Sequence, residues 1–176
     1  NGGVAMFITT HWTMDAKSKV QRQKLRELGL EFVGAVRLDN EAFADIANTK
    51  VATDIIVMQK VDPESVDLKD DNKLFGKNAS EVALPFGEAW QENLGTPEEQ
   101  KKSVEVHPYF MANPEQVIGT MTANGKMTAK DNELTVENTG RLSREQRAQQ
   151  LSLALNRINS KLDKKAYVDG LSTRKD

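Results

Sequence analysis

The chain has 176 residues, 38% of them hydrophobic and 28% charged, with a net charge of −2 and an isoelectric point near 5.8. That is the make-up of an ordinary globular domain, or one and a half by length, and it excludes a general electrostatic affinity for nucleic acid or membrane. The absence of cysteine rules out disulfides and thiolate metal sites and fits a reducing, cytoplasmic setting, and no apolar run approaches the ~20 residues of a membrane helix.

The first apolar run, Val4 to Thr10, is nearly continuous, as expected of a strand buried on both faces. Asp15 is placed to cap a helix running to about Leu28, with Ala16, Val20, Leu25 and Leu28 on one side. Lys17, Lys19, Arg22, Lys24 and Arg26 then reach solvent, and Gly29 ends the helix. Glu31 to Leu38 and Val51 to Lys60 are two further strands, separated by a polar stretch with one aromatic, Phe43. Strand, helix, strand, strand is an α/β pattern that starts inside a sheet, so a preceding segment or a partner is expected to close its edge.

From Val61 to about Glu105 the composition turns to Pro, Gly and acidic residues, a long connection. Glu64, Asp67, Asp70 and Asp71 lie within it without the glycine and spacing of a calcium loop. Asn113-Pro114 then predicts a helix start stopping at Gly119, Asn124-Gly125 predicts a hairpin turn between Met121 and Met127, and Leu134 to Val136 predicts a short strand. The clearest helix begins at the capping box Ser143-Arg144-Glu145-Gln146 and carries Ala148, Leu151, Leu155, Ile158 and Leu162 at spacings of three and four. The chain beyond Lys165 is expected to fray.

The ordered set Gly2-Gly3-Val4-Ala5-Met6-Phe7-Ile8-Thr9-Thr10, Gly34-Ala35-Val36-Arg37-Leu38, Ala42-Phe43, Asn48-Thr49-Lys50-Val51 and Thr53-Asp54-Ile55-Ile56-Val57-Met58-Gln59-Lys60 resembles a known family. It is similar to the C-terminal part of the catalytic domain of adenine-specific DNA methyltransferases, in the form found in large helicase-methylase polypeptides of phages, plasmids and conjugative elements. His107-Pro108-Tyr109-Phe110, Asn113-Pro114-Glu115 and Val117-Ile118-Gly119 resemble a segment after the methylase sheet of the same proteins. The resemblance covers residues 1–60 well and 105–137 loosely.

What the resemblance implies is the C-terminal half of a Rossmann-like S-adenosylmethionine-dependent methyltransferase sheet over residues 1–62, a connection over 63–105, and a mostly helical α+β extension over 106–176. The family's reversed last strand puts 51–60 in the middle of the sheet, antiparallel to both 4–10 and 31–38. The complete enzyme would move a methyl group from S-adenosylmethionine to the N6 amine of adenine in DNA. This stretch would be inactive alone and would bind no cofactor, because no Gly-x-Gly loop and no Asn/Asp-Pro-Pro-aromatic tetrapeptide occur in it. Asn113-Pro114-Glu115-Gln116 lacks the second proline and the aromatic and is a helix opening. Implied partners are DNA, the N-terminal half of the methyltransferase domain and a helicase domain of the same polypeptide.

No catalytic residue, cofactor ligand or metal ligand is assigned, since His11 and His107 are isolated. By resemblance Phe43 stacks on the extruded target adenine, which needs a flat apolar face in place of its lost neighbours. The other reading makes Phe43 an anchor of its loop. Thr9, Thr10 and Trp12, with His11, follow the C-terminal end of the first strand, where open α/β sheets place ligands, and could line the pocket rim or simply form a turn. Arg37 and Lys50 flank the Phe43 loop and are candidate contacts to DNA phosphate. A different class of function remains open: a non-catalytic module of a mobile-element protein that docks DNA or a helicase.

Overall fold

Apolar β-rich runs form the strands β1 (Val4–Thr10), β2 (Leu30–Leu38) and β3 (Thr53–Lys60), and two short helices, α1 (Trp12–Asp15) and α2 (Val20–Glu27), cross from β1 to β2. The computed structural model describes residues 2–16, 18, 20–44, 50–65, 106–125 and 133–163. Most of the expected connection, 66–105, therefore lies outside the described residues, as do Lys17, Lys19 and the chain beyond Lys165. What is described of the connection is one 3-10 turn, Pro63–Ser65.

The fold is mixed α/β. Its main sheet has the order β1-β3-β2-β4, where β4 is the two-residue strand Val117–Ile118. β3 lies between β1 and β2 and is antiparallel to both, the arrangement expected for these three segments. β4 pairs in parallel with β2, Leu38 opposite Ile118. A second sheet pairs β5 (Thr120–Gly125) with β6 (Glu133–Glu137). The short helix α3 (Pro108–Ala112) and the long helix α4 (Arg144–Asn159) complete the described structure. Among the described residues no helix is long and apolar enough to cross a membrane.

Alternation along the strands sends side chains to two cores. On one face Met14, Ala35, Ile56, Met58, Tyr109 and Phe110 pack together with Met121 and Val136. On the other, Val36, Leu38, Ile55, Val57 and Ile118 meet Ala154 and Ile158 of α4, with Leu151 and Leu155 half-buried beside them. The capping box forms as the sequence predicts: Ser143 Oγ accepts from Gln146 N at 3.3 Å and Ser143 N donates to Gln146 Oε1 at 2.8 Å. Gln59 fixes the far end of α4, exchanging two hydrogen bonds with the backbone of Asp163 at 2.8 and 2.9 Å. The 106–163 stretch is less helical than expected. It contributes three strands, one of them in the main sheet, and fills both cores.

Several local expectations are corrected. β1 is not buried on both faces: Val4, Met6 and Ile8 are 53%, 56% and 61% exposed. Facing residues of an antiparallel pair share a side, so these three lie with Val57 and Ile55 on the α4 side of the sheet. However, α4 packs mainly over β2 and β4, and the three side chains stay exposed. The single helix from Asp15 is two helices, broken at Ala16, whose ψ is 131°. Arg22 stabilises the break by donating to the carbonyls of Thr13, Met14 and Ala16 at 3.0–3.2 Å, groups a helix end leaves open. Arg22 and Arg26 are buried, while Val20 and Leu28 are exposed, against expectation; Leu25 packs against the core and Lys24 is exposed, as expected. Gly29 does end α2, at φ +74°.

Asn113-Pro114 opens only a 3-10 turn, Pro114–Gln116. The α-helix precedes it, with His107 as N-cap accepting from Tyr109 N at 3.1 Å and Pro108 in the first turn. Gly119, at φ +118°, joins two strands rather than ending a helix. Asn124-Gly125 lies within β5 rather than in a turn, and its partner strand begins at Glu133; residues 126–132, Met127 among them, lie outside the described residues.

Candidate functional site

The parallel strands β1 and β2 end at the same edge of the sheet, because Thr10 and Leu38 both face Thr53 of the intervening β3. β4 ends there too, at Ile118. This is the edge at which open α/β sheets hold ligands. The candidate residues Thr9, Thr10 and Trp12 stand at its β1 side, and Phe43 stands at its β2 side in the loop that follows Asp39. With β3 between them, the two groups are roughly 10 Å apart at the level of the strands.

At the β1 side, Thr9 is half-buried and donates to Thr10 O at 3.1 Å, and Thr10 is exposed. Trp12 is 54% exposed and its ring lies 4.4 Å from that of His11, tilted by 35°. His11 is buried. Its Nδ1 is 3.0 Å from Asp15 Oδ2, and its backbone N–H donates to Ala52 O at 3.0 Å.

Behind this rim sits a charged network that the sequence reading missed. Arg37 is fully buried and is no phosphate contact. Its Nε and Nη2 donate to the two carboxylate oxygens of Asp54, both at 2.8 Å, and Nη2 also donates to Asp15 Oδ1 at 3.0 Å. The guanidinium carbon lies 4.0 Å from the centre of the Phe110 ring. Asp15 is no helix cap. It accepts from Arg37, from His107 N at 2.8 Å, and bonds to His11. Burial raises the carboxyl of Asp15, but Arg37 and His11 together hold it below its ordinary value. Asp54 lies above its ordinary value, because burial and the negative charge of Asp15 outweigh Arg37. The network locks together α1, β2, β3 and the start of α3. A sequence signal for it existed: one Arg and one Asp, each inside the apolar run of a central strand, are tolerated only as a pair.

At the β2 side, Phe43 is half-buried against the core beneath α4. It lines a cleft of about 280 Å³ with Leu38, Ala42 and Ile118 from the sheet edge and Ala148 and Leu151 from α4. Asp39, Glu41, Arg144 and Arg147 supply its charged rim. The ring thus has the apolar support of an anchor on one side and open space on the other. Lys50 is exposed and lines a second depression with Asn40, Glu41 and Glu137, so that two carboxylates share its lining with this cation.

No protein-family model, curated protein or solved structure matches this chain. Among the described residues no group of three or more His, Asp or Glu is arranged to hold a metal ion. Among the described glycines, Gly2, Gly3 and Gly29 precede strands, and at Gly119 an added Cβ would lie 2.9 Å from both Glu137 O and Val136 Cγ1. What the site offers is an aromatic ring over a cleft at the ligand edge, and an exposed indole on the same edge.

Proposed function

We propose that the chain is the C-terminal part of an adenine-N6 DNA methyltransferase. Its sheet would then be the fifth to seventh strands of a Rossmann-like domain, and Phe43 the aromatic that replaces stacking on an extruded adenine. One observation carries the reading. Two parallel strands are separated by a central strand running against both, the reversed ending that the resemblance of residues 1–60 calls for. The edge of β1, with which no described strand pairs, accords with it, since a preceding half of the sheet would continue there. S-adenosylmethionine and the catalytic tetrapeptide would be held by that preceding half, so no step of the reaction is assigned to residues of this chain. DNA, a fused helicase domain and a cytoplasmic setting are the partners and place that go with this reading.

The test is to incubate the complete gene product with S-adenosylmethionine and adenine-containing DNA and to analyse the digested nucleosides by mass spectrometry. N6-methyladenine is the expected product. DNA binding without any methylated adenine would favour the non-catalytic docking module instead.

A further inference from the structure

Asp39 and Asn40 start the loop that carries Phe43, and the 106–163 stretch grips both. Arg147 Nη1 of α4 donates to Asp39 Oδ1 and Oδ2 at 3.1 and 3.3 Å. On the opposite side, Asn40 is sewn to β6. Its backbone N–H donates to Val136 O at 2.9 Å, its Oδ1 accepts from Val136 N at 3.0 Å, and its Nδ2 bonds to Thr135 Oγ1. Asp39 also organises the loop itself: Oδ1 accepts from Glu41 N at 2.9 Å and the backbone carbonyl accepts from Ala42 N at 3.1 Å. The turn that delivers Phe43 is therefore defined by a carboxylate whose own orientation is set by α4.

We propose that Asp39, Asn40 and Arg147 are positioning residues, through which α4 and β6 fix where the Phe43 ring stands and so set the affinity of the edge for an extruded base. The inference rests on the methyltransferase reading above. One observation separates this role from mere stabilisation. Phe43 packs against the core beneath α4 on one side and borders a cleft of about 280 Å³ on the other, so packing holds only part of the ring. The Arg147 side chain keeps 25% of its surface in water but the Asp39 side chain it holds is only 2% exposed, so losing the pair also costs stability, and the deciding readout is base binding rather than folding.

The test uses the complete enzyme and a duplex carrying 2-aminopurine opposite an abasic site, an adenine analogue with no pairing partner to hold it in the helix. Arg147→Met should weaken binding by about tenfold, within the range of one lost base–aromatic stack, and change the emission of the 2-aminopurine. Arg147→Lys should restore most of both. In a Phe43→Ala background Arg147→Met should add nothing, because the two changes act through one contact. The proposal is overturned if Arg147→Met binds as tightly as the parent, or if its effect persists undiminished without the Phe43 ring. Coupling of Arg147 to Phe43 in a protein that methylates no adenine would end the methyltransferase reading and leave the positioning role standing. Methylation with purely additive effects would do the opposite.

Discussion

Arg37 is fully buried and joins two strands and α1 through its partners. A guanidinium without exposed surface is tolerated only because Asp54 and Asp15 meet it with three hydrogen bonds and the Phe110 ring lies against its face. Removing it would strand two carboxylates in the core. Arg37→Met should therefore cost about 3–5 kcal/mol in urea unfolding, and Arg37→Lys should not restore the loss, because an ammonium cannot match the bidentate geometry. Unchanged stability together with weaker DNA binding would contradict the structural role. Read in the run Gly34-Ala35-Val36-Arg37-Leu38, this residue is a cation with no visible partner, and a phosphate contact is a natural expectation. Its partner Asp54 becomes its neighbour only once β2 and β3 are in register, and that register is not written in either strand alone. The same limit applied to Asp15, which sits where a cap is expected but is drawn inward by Arg37. Phe43 was legible as an aromatic in a functional position. Its half-burial beneath α4 was not, because the contact spans about a hundred residues of sequence.

At the scale of elements, α4 is the most fully specified by its own residues. The Ser143–Gln146 box starts it, and the stripe through Leu151, Leu155 and Ile158 seats it on the sheet. Ile158 is buried and seated close on β2: a Cβ added at Gly34 would lie 2.9 Å from Ile158 Cγ1. Ile158→Ala should cost about 2–5 kcal/mol in chemical denaturation. Leu153→Ala, on the exposed side of the same helix, should stay within about 0.5 kcal/mol. Equal losses at both positions would mean that the helix is seated differently. The first helical region resisted the same logic for an identifiable reason. Its apolar spacing is weak, and Arg22, expected to face water, satisfies three carbonyls at the break instead, while Arg26 lies 3.8 Å from Glu31, so polar pairing beside the packing of Leu25 decided which side turned inward. Strand positions in 4–60 were legible because period and length agree there. The placement of β4 in the same sheet was not, since two residues carry no periodicity.

For the whole molecule, the arrangement β1-β3-β2-β4 leaves the two sides of the sheet unequally finished. One end is capped by β4 and covered by α4, while no described strand pairs with the outer edge of β1. Because no glycine loop suited to S-adenosylmethionine is present, calorimetric titration of the isolated chain with that compound should give no measurable heat of binding, and micromolar affinity would show the reading of the sheet to be wrong. The edge of β1 has a further consequence for anyone handling the protein. Val4-Ala5-Met6-Phe7-Ile8-Thr9-Thr10 contains no charge and no proline, the residues with which natural sheets discourage unwanted pairing. A bare strand of this kind templates its own copies. Prepared without something to cover that strand, the chain should be prone to aggregate through it, and a lysine in place of the outward-facing Ile8 should keep more of it in solution.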